Sequence, residues 1–292
     1  MSVIPEVACP LTGLRSRPKS IVEVGDYRVA WFENSRMWSV IDMPSVENMS
    51  DAYQDFNAGE HSRNNFDFYL NQSKLILTGE LSRAGFDKVA LQNLGMLDYG
   101  CGGGHFVGAA SQLGMRAMGM ELDSTAVAAA RAIGIDVVNG VLPKDLDKLN
   151  GQKFNVIKVS HVLEHVPNLR DLLACMVSLL EKGGILIINV PDQDSFPSRL
   201  KVFLRHFGMR RSEYGYVQPP IHLHGFTKDS FQVLATAFGM NLVSCYGYSP
   251  LDESNFPTTP DYWRGIGAQK LVYMVGQYLN SGGYMTAILQ KT

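Results

Sequence analysis

The stretch MLDYGCGGGHF, residues 96 to 106, packs four glycines into five positions directly after a short apolar run. Asp98, Gly100, Gly102 and Gly104 spell D-x-G-x-G-x-G. Glycines at a strand-to-helix turn let the main chain approach a ligand closely, and the helix N-terminus beyond supplies unpaired N–H donors for a negative group. A dinucleotide loop needs G-x-G-x-x-G, but His105 or Val107 stands where the third glycine would be, so the nicotinamide fingerprint is lost. Downstream, GMELD ends in a strand whose Glu121 could accept hydrogen bonds from two vicinal ribose hydroxyls at the C-terminal edge of a sheet. The ligand these residues imply is a nucleoside, with no sign of a pyrophosphate.

A second set could move a proton. SHVLEHV places His161, Glu164 and His165 after an apolar run, and PPIHLHG adds His222 and His224. An imidazole near neutral pKa is a base for a hydroxyl, and a carboxylate can orient it. If SHVLEHV opens a helix, His161 and His165 share a face with Glu164 beside them. The same residues also suit a hydrogen-bonding pair at a helix start or an incomplete metal set. Without distant partners two imidazoles and one carboxylate do not complete a site, so no metal is expected. His222 and His224, two apart, fall on one side of an extended segment or simply bond within a loop. The run Arg199, Lys201, Arg205, His206, Arg210, Arg211 reads as a clasp for a phosphate or as the solvated face of a helix.

The elements that must position these groups follow from periodicity. From Gly95 to about 190, short apolar runs alternate with helical stretches, which implies a parallel sheet covered on both faces. Residues 1 to about 50 show strand-like alternation broken by Gly25-Asp26 and Asn34-Ser35, a small β appendage. A helix capped by Thr227, with Ser230 just inside and Gly239 at its end, precedes two late strands around NLVSCYGYS and GYMTAILQK with a helical insert between them. An antiparallel pair at the edge of a parallel sheet is the simplest assembly.

With 292 residues, 46% hydrophobic and 18% charged, the composition is that of a soluble globular protein, and a net charge of −2 gives no overall pull toward nucleic acid or an anionic surface. No basic leader precedes an apolar stretch, and runs such as ILIINV fall far short of a span, so no membrane segment and a cytoplasmic location are expected. Cys9, Cys101, Cys175 and Cys245 form no C-x-x-C and read as free thiols.

The glycine loop and Glu121 resemble the cofactor motifs of class I S-adenosylmethionine-dependent methyltransferases. FNVIKVSHVLEHVPNLRDLL, LLEKGGILIINVPD and PPIHLHGFTKDSFQVL resemble, in order and spacing, later blocks of the subgroup with ubiquinone-type O-methyltransferases and sugar methyltransferases, over roughly 95 to 245. The resemblance implies a Rossmann-like seven-stranded, mostly parallel sheet with an antiparallel C-terminal hairpin. Asp98, Gly100, Gly102 and Gly104 would cradle the methionine part of S-adenosylmethionine, and Glu121 the ribose. Leu122 and the turn Asn139-Gly140-Val141 would pack on the adenine, with Ser160 and His161 beneath the sulfonium. His165 would be the proton acceptor, with Glu164 and His222 orienting. Asn155, where relatives commonly carry Asp, and Lys158 depart from the pattern. CPLTG resembles the opening of a zinc-binding appendage found in some sugar methyltransferases, but Thr12 replaces the second thiolate, so no zinc is expected.

The expectation is therefore a β-rich appendage over 1–55 and a methyltransferase domain over 56–292, with a substrate insert or lid at about 193–222 and a second insert at about 250–280. The activity expected is methylation of a small hydroxylated metabolite, a sugar or phosphorylated sugar, releasing S-adenosylhomocysteine. C- or N-methylation and a non-catalytic cofactor binder are the alternatives; a pure binder would not need the histidine cluster. His224, Arg199, Arg205 and Tyr53 would touch the substrate, while Tyr53, Phe56 and Tyr69 could close over the cofactor. No nucleic acid or membrane partner is expected, and the protein would be a monomer or homodimer.

Overall fold

A computed structural model describes residues 6–44, 66–86, 90–249, 267–279 and 281–292. The chain begins with a short antiparallel pair, β1 (Val7–Ala8) and β2 (Arg15–Ser16). A meander follows of β3 (Ser20–Val24), β4 (Tyr27–Phe32) and β5 (Met37–Val40). After α1 (Phe66–Arg83), strands and helices alternate as the apolar pattern predicts: β6 (Gly95–Tyr99), α2 (His105–Gln112), β7 (Arg116–Glu121), α3 (Ser124–Ala132), β8 (Val137–Asn139), β9 (Phe154–Ser160), α4 (Leu169–Leu179) and β10 (Leu180–Pro191). The remainder comprises α5 (Phe196–His206), β11 (His224–Gly225), α6 (Lys228–Ala237), β12 (Met240–Tyr248), α7 (Gly267–Tyr278) and β13 (Tyr284–Lys291).

The central sheet has the order β12-β13-β10-β9-β6-β7-β8. Strands β6 to β10 pair in parallel, whereas β13 is antiparallel to both β10 and β12, the reversed edge expected from the two late strands. Central strands are buried on both faces, which is why β6 and β10 are near-continuous apolar runs. One face packs Met96, Val156, Ile187 and Ile288 against Leu77 and Leu81 of α1. The other packs Leu97, Ile157 and Ile188 against Leu172 and Met176 of α4 and Phe231 and Leu234 of α6. Thr227 and Ser230 form the reciprocal cap of α6, and Gly239 turns the chain out with φ +62°.

The N-terminal meander is not set apart from this core. Strand β11 pairs with β5, His224 opposite Ser39 and Gly225 opposite Trp38, so residues on either side of the sheet domain complete one four-stranded sheet. Cys9, Leu11, Phe32 and Met37 are buried in the same cluster as the α4 and α6 faces, and Arg170 Nη1 donates to the carbonyls of Leu11 and Thr12. The expected boundary at 55 and the first part of the second insert lie outside the described residues.

Candidate active site

Strand β6 delivers the chain into the glycine loop, where Gly100, Gly102 and Gly104 take φ of +72°, +50° and +79°. Their reasons differ. A Cβ on Gly100 would lie 2.4 Å from Val162 Cγ2 and one on Gly104 2.7 Å from Ile135 Cγ2, so these two are required by packing under the loop. Gly102 faces open space, the side from which a ligand would approach. Glu121 is tied to this loop: its Oε2 accepts from Gly102 N and its Oε1 from Asp123 N, both at 2.9 Å. Beside it Leu122 lies 69% exposed, a free apolar surface at the end of β7. Asn139 spends its amide on the carbonyls of Glu121 and Leu122, and Asp145 Oδ2 accepts from Val141 N, which holds the 139–141 turn against the end of β7. Gly102, Glu121 and Leu122 thus meet at the C-terminal ends of β6 and β7.

Beneath the loop runs a buried polar layer. Lys158 Nζ bonds both oxygens of Glu80 at 2.8 Å and Asn189 Oδ1 at 2.7 Å. Asn189 in turn donates to Thr286 and accepts from Ser160 Oγ. Asp98, fully buried next to Lys158 in the register, is pushed up to about 7 by burial against the pull of that ammonium. Asn155 has a structural task as well, accepting from Gly95 N at 2.9 Å. This layer floors a cavity of about 480 Å³ whose walls include Ser160, His161, Phe106, Tyr246, Tyr248 and Arg83.

At the end of β9 the expectation of a helix is overturned. His161 adopts φ +54°, its N–H held by the carbonyl of Asn189 on β10, and only a single 3₁₀ turn follows, Leu163–His165. His161 and His165 therefore do not share a helical face. His161 lines the cavity, with Nε2 3.3 Å from Tyr248 Oη and Nδ1 3.5 Å from Glu164 Oε1. His165 shares Glu164 Oε1 at 4.0 Å but is held by the insert: its Nδ1 contacts Ile221 O at 3.1 Å, and its ring meets His222 edge-to-face at 4.6 Å. His222 Nδ1 contacts Tyr216 O at 3.0 Å. Burial opposes ionisation of Glu164, yet the surrounding His161, His165 and His222 hold its carboxyl below the ordinary value. Burial pushes His222 down to about 4 and lowers His165 as well, so both are neutral near pH 7. Glu164, His165 and His222 each bring one donor atom within 4.8 Å of the others, and Glu164 Oε2 is buried without a hydrogen-bond partner. The convergent donors are again two imidazoles and one carboxylate, with His222 in the place the sequence reading gave to His161.

A family model described as a methyltransferase domain matches residues 72–245. The chain belongs to that family. Its sheet order and glycine loop are those of the class I group of that family, whose methyl donor is S-adenosylmethionine. Among curated relatives, it is 26% identical over 106 residues to the ubiquinone biosynthesis O-methyltransferase of Erwinia tasmaniensis, covering 34% of this chain and 43% of that one. It is 28% identical over 131 residues to the protein of the same name in Bartonella quintana, covering 41% and 52%. The alignments thus span about half the length of these relatives. Magnesium protoporphyrin IX methyltransferase from Synechocystis, solved with bound S-adenosylhomocysteine, superposes with a TM-score of 0.51 at 14% identity over 84% of this chain and 96% of that one, a likeness of fold.

Several residues expected at the substrate lie elsewhere in the methyltransferase. His224 is buried with both ring nitrogens used, Nδ1 against Ser39 Oγ and Nε2 against Val166 O, each at 2.9 Å; it is a strut between β11 and β5 and not a pocket residue. Arg205 spends its guanidinium on the carbonyls of Arg210, Arg211, Glu213 and Glu23, so it does not clasp a phosphate. Arg199 is exposed on α5, outside the cavity lining. Tyr53 and Phe56 lie outside the described residues; Tyr69 packs near His105 with ring centroids 5.4 Å apart. Glu80, Arg83, Tyr246 and Tyr248 were not anticipated, because nothing in their own neighbourhoods marks them. Gly119 was not anticipated either: a Cβ there would sit 2.4 Å from Cys101 Sγ, a contact visible only in the fold.

Proposed function

We propose that the protein transfers a methyl group from S-adenosylmethionine to a hydroxyl of a small metabolite, with His161 rather than His165 as the proton acceptor. The observation that carries this reading is the position of His161: it lines the cavity at the end of β9 with Glu164 directly behind it. The cofactor supplies an activated methyl on a sulfonium, so the protein must align an oxygen and take its proton. With Nδ1–H directed at Glu164, His161 keeps the Nε2 lone pair toward the cavity, where an acceptor hydroxyl would replace that of Tyr248. Glu164 then balances the imidazolium as it forms. His165 and His222 act as positioning residues, enclosing Glu164 beneath the insert. The relatives' names specify methylation of oxygen, which favours that atom over carbon or nitrogen.

The acceptor we infer is a sugar or related polyhydroxylated compound. Aromatic Tyr246 on one wall and the polar floor of Ser160, Asn189 and Thr286 suit such a ligand. The deciding experiment is release of S-adenosylhomocysteine from S-adenosylmethionine with sugars, sugar nucleotides and phenols offered in turn. Turnover with a sugar that disappears in His161→Ala supports the reading; turnover with phenols alone replaces the acceptor class, and full activity of His161→Ala removes the base.

A further inference from the structure

Helix α5 is built inside out. Its sequence, FPSRLKVFLRH, is amphipathic, and in a surface helix the apolar stripe ordinarily faces the core. Here Lys201 and Arg205 turn inward. Lys201 Nζ bonds Glu213 Oε2 at 2.9 Å and lies 4.7 Å from the Tyr216 ring, and Arg205 reaches the carbonyls of the following turn and of Glu23 on β3. Phe203 and Phe207 instead face solvent, edge-to-face at 5.1 Å and exposed by 58% and 67%. Met209 beyond them is 49% exposed.

Residues 206 to 211 are all exposed, and Gly208 and Arg210 take φ of +79° and +54°, so the helix end and its turn form a protruding tip. The tip is also cationic. Of the five Lys and Arg between positions 195 and 222, Lys201 and Arg210 pair with Glu213 and Arg205 is spent on carbonyls, which leaves Arg199 and Arg211. Arg199, His206 and Arg211 remain exposed around the phenylalanines.

We propose that this tip docks on an anionic lipid surface, the two phenylalanines and Met209 entering the headgroup boundary while the flanking cations meet lipid phosphates. Three apolar side chains on a protrusion are too few for a stable protein interface, which takes about 800 Å² per partner. They suffice for shallow insertion assisted by charge. A second copy of the chain is the poorer occupant, because the cationic stretch would face itself. The proposal stands independently of the acceptor reading.

The test is flotation of the full chain with vesicles of phosphatidylcholine alone and of phosphatidylcholine mixed with phosphatidylglycerol. Binding is expected to the mixed vesicles only and to weaken as salt is raised. Replacing both Phe203→Ser and Phe207→Ser is expected to lower the bound fraction by about tenfold or more, and Arg211→Glu by a smaller factor, with melting temperature and S-adenosylmethionine affinity unchanged. No binding by the unaltered protein, or equal binding by the double variant, overturns the proposal. So does a dimer in sedimentation that the double variant dissociates, since a second copy would then occupy the tip.

Discussion

The two halves of the candidate site are built on different principles. The cofactor side is a local device: the glycine loop, Glu121 and the 139–141 turn come from successive βα units and are held by main-chain N–H groups donating to the carboxylates of Glu121 and Asp145 and to neighbouring carbonyls. The acceptor side is assembled from distant segments, α1, β9, β10, β12 and β13 lining the cavity and the insert enclosing the histidines. A side formed by short-range constraint tolerates little change of backbone. One formed by long-range convergence can change its ligand by changing side chains.

Substitution of His161 is the sharpest way to separate the halves. His161→Ala is expected to reduce turnover by about 10²–10⁴-fold with unchanged affinity for S-adenosylmethionine, measured by calorimetry beside steady-state assay. His165→Ala should cost less than His161→Ala; the reverse order would return the base to His165. The complementary loss is Glu121→Ala, expected to weaken cofactor binding by roughly 10–100-fold through the loss of charged hydrogen bonds, leaving the melting curve nearly in place. Comparable loss of acceptor and cofactor affinity would show that the halves are not separable.

What was legible in the chain follows the same division. Gly100, Gly102 and Gly104 all take positive φ in one tight turn, so their spacing exposes the loop, although the packing of Gly100 and Gly104 against Val162 and Ile135 is not legible there. His161 misled because polar residues three and four apart look helical, whereas the backbone there is set by Asn189 on a neighbouring strand. Arg205 misled for a related reason: its partners are carbonyls of a turn that folds back on it and of β3, 182 residues away in sequence. His224 read as a pocket residue because periodicity does not say which strand pairs with which.

Acid should probe the join between the regions. His224 is lowered from 6.5 to about 4, chiefly by burial, so the unfolded chain takes up a proton that the folded one refuses. Its contribution is complete above about pH 6.5 and is lost as pH falls toward 4, about 3 kcal/mol in all. His224→Gln should flatten that decline in melting temperature against pH; an unaltered slope would assign it to other groups. The smallest effect expected is on cofactor affinity. Asp98 is pushed up to about 7 by burial beside Lys158; with the methionine ammonium placed on Asp98, as the family resemblance implies, binding is expected to weaken as pH drops through 7. Asp98→Asn should abolish that dependence in calorimetric titrations.

The pairing of His224 with Ser39 also has a consequence in time. These partners are separated by 185 positions, and at about 5–20 residues per second a ribosome needs roughly 10–40 s to pass from one to the other. Throughout that interval β5 has an unpaired edge, and Phe32 and Met37 lack the helices that bury them. The N-terminal meander therefore waits open for β11 although it is made long before it, and a chain released before His224 exposes an aggregation-prone sheet edge.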